Sequence, residues 1–370
     1  MSFFEEMSPY PWAEVEAQIK TRSGADVEAA LSSSHLGPEG LISLLSPAAQ
    51  PYIEEMAQRA HAITQQRFGK VISLFAPLYL SNQCVNSCAY CGFNSRNPVE
   101  RLTLTADQGE AEGKFLHDLG FRHLLLVSGE APRIITMQYL LDHVERLRPL
   151  FPSLSIEIYP METAEYGELC ERGVDGLVVF QETYHEKRYK EVHLGGRKRD
   201  YRWRLSTPER GGEAGFRRIG LGALLGLSDW RTEGLFMGLH ARYLLRSFWK
   251  SQVTISFPRL QPAAGSYCPP SPVSDFHLVQ LITALRIFLP DVGFVLSTRE
   301  PAQLRDHLIP LGITSMSAGS RTDPGGYTQQ AEAEAQFTIS DERSPRMVAE
   351  VIRRHGYEPV WKDWDSAFLS

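Results

Sequence analysis

A chain of 370 residues, 43% hydrophobic and 22% charged, has ample material for a large buried core and lacks the composition of a disordered polymer. Its formal charge of −6, with no block of like charges, argues against general nucleic-acid binding. The opening MSFFEEMSPYPWAEVE has neither the basic start nor the apolar stretch of a signal peptide. No run approaches about 18 apolar residues, so a cytoplasmic protein without a membrane span is expected.

Residues 1–68 read as a helical extension. Apolar residues recur at helical spacing over Ala13–Lys20, Ala25–Leu31 and Ala48–Arg67, separated by Gly- and Ser-rich turns. From Val71 the pattern changes to short β-branched or Leu-rich runs, each followed by a helical stretch. The runs are Val71–Leu80, His123–Ser128, Ser155–Tyr159, Gly176–Phe180, Ile219–Leu225, Gln252–Phe257, Val292–Leu296 and Thr314–Ser317. Intervening segments such as Asp107–Gly120, Tyr139–Leu147 and Phe276–Phe288 are long enough for crossover helices. Runs that do not alternate strictly suit strands buried on both faces. Eight strand–helix units predict an α/β fold, a (β/α)8 TIM-type barrel over 69–325, with 326–370 packing on it; an open doubly wound sheet is the alternative. In a barrel the active site belongs at the carboxyl ends of the strands, and polar residues gather there: Ser128-Gly129-Glu130, Gln181-Glu182-Thr183, Ser297-Thr298-Arg299 and Ser317–Ser320.

Five cysteines in a chain this long do not make a disulfide framework, and three of them fall within eight residues. Cys84, Cys88 and Cys91 form a C-x3-C-x2-C loop after the first predicted strand. Three soft thiolates can ligate three irons of a [4Fe–4S] cubane and leave the fourth open to a small molecule. A structural zinc site wants four ligands and is closed. A zinc knuckle or three unrelated core thiols are the plain alternatives. Cys170, in a helical pattern, reads as an inert packed thiol, and Cys268 has no assigned role.

The loop, with Tyr90 just before its third cysteine, resembles the signature of the radical S-adenosylmethionine (SAM) superfamily. Further stretches, among them APLYLSNQC, FQETYHE, IGLGALLGLSDW, ISFPRL, LSTRE, DPGGY and PVWKDWDS, are similar to the 2-iminoacetate synthases, the tyrosine lyases of thiamine biosynthesis. The resemblance implies a radical SAM barrel whose cluster holds SAM on its open iron. It also implies cleavage of the Cα–Cβ bond of L-tyrosine to 2-iminoacetate and 4-methylphenol, with 5′-deoxyadenosine and methionine formed. The imine would pass to a thiazole synthase, and a reduced flavodoxin or ferredoxin-type donor would supply the electron.

Carried onto these positions, the resemblance implies that Ser128, Gly129 and Glu130 meet the amino group of SAM, where a carboxylate suits an ammonium by charge. Glu182 is placed at the ribose hydroxyls, with an ion pair to Lys187 or Arg188 as the structural alternative. Arg204 is placed at the SAM carboxylate, although Arg197, Arg199, Arg202 and Arg210 beside it also fit a solvated basic face. Tyr90 completes the cofactor-side set. Arg299 is placed at the substrate carboxylate, with Tyr79 and Ser317 beside it; a salt bridge to Glu300 or Asp306 is the alternative. The terminal Trp361–Asp365 caps the barrel, anchors the chain end or meets a partner.

A tryptophan lyase is the nearest rival, since no residue recognising the phenol hydroxyl is evident. The tyrosine lyase of hydrogenase maturation is disfavoured because no cysteine follows Cys268. A non-catalytic iron–sulfur scaffold would bring a closed site, and a hydrolytic barrel would need paired acids and histidines at strand ends.

Overall fold

The computed structural model describes residues 2–265, 267–328, 333–363 and 365. All eight predicted strands form, in the predicted order: β1 (Val71–Ser81), β2 (His123–Ser128), β3 (Ser153–Glu157), β4 (Gly176–Glu182), β5 (Arg218–Ala223), β6 (Gln252–Ser256), β7 (Gly293–Leu296) and β8 (Ser315–Ser317). Every neighbouring pair is parallel, and β1 pairs with both β2 and β8, so the sheet closes into a barrel rather than staying open. A ninth strand, β9 (Glu358–Val360), pairs with the start of β1. It was not expected, because three residues with a central proline carry no periodic signal.

The crossover helices follow from local chemistry. Over Ala106–Asp118 a reciprocal cap between Thr105 and Gln108 satisfies the first turn. Met137–Leu147, capped by Thr136, buries Leu140, Val144 and Leu147 on one face. At the N-terminus the predicted helix 48–67 is a 3-10 turn, Pro47–Tyr52, followed by the helix Ile53–Phe68. Pro51 lacks the N–H that a continuous helix would use. The helix Pro38–Leu45 seats Leu41 and Leu45 against Gly238 and Gly234 of the helix Trp230–Ser247, where an added Cβ would lie 2.7 and 3.2 Å from those leucines.

The barrel interior departs from the usual filling of branched aliphatic layers. Beside apolar residues such as Phe75, Leu125 and Val178, its inward positions carry Ser73, Ser155, Thr254, Gly293, Ser297, Ser315 and Ser317. Gly220 and Gly222 keep the same parity as inward Arg218, and a Cβ at Gly220 would already touch Val178 and Thr254. Small residues leave a cavity of about 340 Å³ along the barrel axis. Its floor is polar. Arg218 donates to His123 at 2.7 Å and lies 3.6 Å from Asp363, which also accepts from Ser73 at 3.2 Å. Trp361 packs edge-on against Phe121 at 5.3 Å, so the chain end caps the amino face of the barrel. Trp364 lies outside the described residues.

Candidate active site

The cysteine loop leaves β1 through a bulge between Tyr79 and Ser81. Its shape is held by side-chain donors on backbone carbonyls. Arg101 reaches the carbonyls of Asn82, Phe93 and Asn94 at 2.7–3.0 Å, and the Asn97 amide reaches those of Cys91 and Gly92. Asn82 clasps the returning chain through Glu100 and Leu102. None of the three loop cysteines is in a disulfide; Cys88 is buried, and Cys84 and Cys91 are half-buried beside Tyr79 and Phe93.

These thiols fit an iron–sulfur cluster. Burial pushes Cys88 up and takes Cys91 to about 11, while Lys198 pulls both down. As thiolates they need a cationic centre, which clustered iron supplies. Among the described residues no three acidic, His or Cys side chains converge on a single ion. Three thiols spread over one loop instead suit a cluster in which each takes its own iron.

The turn after β2 lies directly under this loop. A Cβ on Gly129 would sit 2.2 Å from the Gln83 carbonyl oxygen and 3.1 Å from the Cys84 Cβ, so only glycine allows the approach. The Ser128 hydroxyl is buried without a protein partner. Glu130 accepts from the Asn86 amide at 2.6 Å, and the Asn86 oxygen accepts from the Lys198 backbone N–H at 3.0 Å. Gly129→Ala is therefore expected to displace the loop. Iron content after anaerobic reconstitution should fall, and 5′-deoxyadenosine formation should drop by about 10²-fold, the usual penalty for a misplacement near 1 Å.

Glu182 ends β4 at a second bulge and has φ +70°, the one positive φ outside glycine among the described residues. Such a conformation costs about 1–3 kcal/mol and marks a side chain aimed for a purpose. Its partners are not Lys187 or Arg188; Arg188 pairs with Glu191. Glu182 instead meets Lys198 at 2.6 Å and Arg204 at 3.5 Å. Burial pushes its carboxyl up, but the two cations together hold it below the usual range. The basic stretch, spread over three short helices, divides by exposure: Arg197, Arg199 and Arg202 are exposed, whereas Arg204 and Arg210 are buried. Arg204 spends its Nε on the Phe180 carbonyl at 2.7 Å.

Tyr90 points away from the cavity, into a cluster with Val192, Leu224 and Leu227. His193 uses Nδ1 on the Tyr189 carbonyl, so its Nε2 accepts from the Tyr90 hydroxyl at 2.8 Å. Burial lowers this histidine to about 3 and keeps it neutral.

Tyr79, Arg299 and Ser317 come together on the cavity wall. Arg299 pairs with neither acid proposed for it. Glu300 is taken by Arg259 and Asp306 by Arg343. Among the described residues the Arg299 guanidinium makes no ion pair; it lies 3.3 Å from the centre of the Phe337 ring. The Tyr79 hydroxyl donates to Gln336 at 2.8 Å. Ser317 Oγ accepts from the Thr298 N–H at 3.2 Å, which leaves its own proton to donate. Its carbonyl is held by Arg305, whose other arm is in a buried pair with Asp341.

Sequence reasoning missed Glu157, Lys198, His193, Gln336 and Phe337. Glu157 was findable, since it shares the parity of inward Ser155 on β3. Gln336 and Phe337 arrive from a segment that no local pattern links to β1.

A closed (β/α)8 barrel with a three-cysteine cluster loop after its first strand defines a radical SAM enzyme, with a [4Fe–4S] cluster and SAM as cofactors. Residues 256–358 match the Biotin and Thiamin Synthesis associated domain. The chain is 44% identical over 366 residues to 2-iminoacetate synthase of Escherichia coli K12, covering 99% of this chain and 97% of that one. It belongs to the 2-iminoacetate synthase family. Among solved structures, the FeFe-hydrogenase maturase HydG from Carboxydothermus hydrogenoformans superposes with a TM-score of 0.84 at 34% identity, over 96% of this chain and 81% of that one. Methylornithine synthase (PylB) shares the fold, with a TM-score of 0.72 at 20% identity over 90% of this chain and 97% of that one.

Proposed function

We infer that this chain is a radical SAM lyase that cleaves the Cα–Cβ bond of L-tyrosine, yielding 2-iminoacetate and 4-methylphenol with 5′-deoxyadenosine and methionine. The observation that carries the reading is the Arg299 guanidinium, which makes no ion pair among the described residues and lines the barrel cavity beside Tyr79 and Ser317. A guanidinium fork binds a carboxylate at two points and fixes its plane. When bound, the cluster and SAM supply a 5′-deoxyadenosyl radical that removes one hydrogen atom from the substrate.

The residues decide which hydrogen. With the carboxylate on Arg299 and the amine beside Tyr79 and Ser317, these residues would present an N–H rather than a β C–H for hydrogen-atom removal. Orientation of this kind is worth several kcal/mol, on the order of 7 or more in favourable cases. The apolar wall of Phe75, Leu125, Val127, Val178 and Val295 suits the aromatic ring. On the cofactor side, Ser128, Gly129, Glu130, Glu182 and Arg204 would stand around the cluster loop, with Tyr90 part of the loop itself. Glu130 suits the methionine ammonium, Glu182 the ribose hydroxyls and Arg204 the carboxylate.

No described helix is long and apolar enough to cross a membrane. The reading extends to a cytoplasmic enzyme that takes its electron from a reduced flavodoxin or ferredoxin and hands the imine to a thiazole synthase.

The test is an anaerobic assay with reconstituted cluster, SAM, dithionite and L-tyrosine, with L-tryptophan in parallel. Formation of 5′-deoxyadenosine and 4-methylphenol from tyrosine is expected. Deoxyadenosine without 4-methylphenol overturns the tyrosine lyase and leaves the radical SAM class intact.

A further inference from the structure

Opposite Arg299 the cavity holds a second charged group that the reading above leaves unused. Glu157 ends β3 and pairs in register with Val127, which pairs with Tyr79, so the acid and the phenol stand at one level of the barrel wall. It lines the same cavity as Arg299, Tyr79, Ser317 and Gln336. Among the described residues no hydrogen bond or ion pair engages its carboxylate. A carboxylate without a partner inside a barrel is costly to retain, and so is a guanidinium without one. Together they match the two charges of an amino acid.

We propose that Glu157 receives the α-ammonium of the substrate and accepts one of its protons, presenting the neutral amine for hydrogen-atom removal. An N–H bond of the ammonium breaks and an O–H bond forms on Glu157. An ammonium and a carboxylate become an amine and a carboxylic acid with no change in net charge. In water this transfer runs uphill, because amines are far more basic than carboxylates. Away from bulk water both ions are destabilised and both neutral forms are not, so burial drives the transfer forward.

The surroundings agree. The charged and titratable groups whose fields act on Glu157 are Glu182, Arg299, Arg204, Lys198 and Tyr79, of which Arg299 and Tyr79 share its cavity. Burial first, and then Glu182, raise its carboxyl to about 7, against the lowering pull of the three cations. Ser317, with its oxygen already accepting from Thr298, has a proton to give to the lone pair of a neutral amine but not to an ammonium. Glu157 thus acts at the substrate nitrogen, while Arg299 acts at the carboxylate.

The proposal rests on the lyase reading, and its test separates the two. Reconstituted wild-type and Glu157→Gln proteins are titrated anaerobically with SAM and three ligands in the absence of reductant. L-Tyrosine has the ammonium and the phenol, L-phenylalanine the ammonium alone, and 3-(4-hydroxyphenyl)propanoate the phenol alone. Glu157→Gln is expected to weaken both amino acids by roughly 30-fold or more, the usual loss when a buried charged contact loses one partner. Binding of the propanoate should stay within about twofold, which also shows that the cavity is intact. With reductant, wild-type kcat/KM should fall as the pH drops through about 7, because the acceptor must be ionised; the variant should lack that limb. Equal weakening of all three ligands, no weakening, or a loss that follows the phenol overturns the proposal. A wild-type enzyme that makes no 4-methylphenol from tyrosine overturns the lyase reading instead.

Discussion

Cys88→Ala is expected to abolish 5′-deoxyadenosine formation altogether, with iron content after reconstitution falling towards background. Cys88 is the most deeply buried of the three loop thiols, and burial raises it further than Cys91. Two thiols cannot hold a cubane that already leaves one iron without a protein ligand. The backbone around it is set by other residues: Arg101, Asn97 and Asn82 hold the loop through carbonyls that the substitution leaves in place. The protein should therefore fold, and its circular dichroism should match wild type. Cys170→Ala is the control. That thiol is half-buried in the helix Thr163–Glu171, where burial takes it to about 12, and its removal should change neither iron content nor activity. Cluster-level iron and full deoxyadenosine yield in Cys88→Ala would remove the loop from the chemistry.

Arg299→Ala is expected to separate the two halves of the reaction. Formation of 4-methylphenol should fall by about 10³-fold or more, since a two-point charged contact and the orientation it imposes are lost together. 5′-Deoxyadenosine formation should persist, because Arg299 lies on the substrate cavity and the cluster loop stands on other elements. Arg299→Lys should recover little of the lost rate, since an ammonium cannot reproduce the planar fork that lies along Phe337. A purely structural role, in which Arg299 serves only to pack on Phe337, predicts a fall in melting temperature with product ratios unchanged. The uncoupling of deoxyadenosine from 4-methylphenol is the readout that a structural role would not move.

Much of this was legible in the chain itself. Eight apolar runs with helical intervals specified a parallel α/β sheet, because each strand had to be covered on both faces. The barrel rather than the open sheet was decided by closure of β1 on β8, which is a contact and not a pattern. Three thiols within eight residues, directly after an apolar strand, specified the cluster loop by local spacing alone. The role of Gly129 was visible as a motif, and its reason only as a 2.2 Å approach to the Gln83 carbonyl.

The sequence by itself determined the elements, their order and the metal-binding loop, because these depend on residues near one another along the chain. Tertiary structure alone decided which charges are free. Beside Arg299 in sequence stands Glu300, yet Arg259, 41 residues away from that acid, takes it. Nor could any local pattern bring Gln336 to Tyr79, 257 residues apart, or leave Glu157 and Arg299 facing one cavity. A charge becomes available for chemistry only when packing has spent every other partner, and that outcome is settled by the whole fold at once.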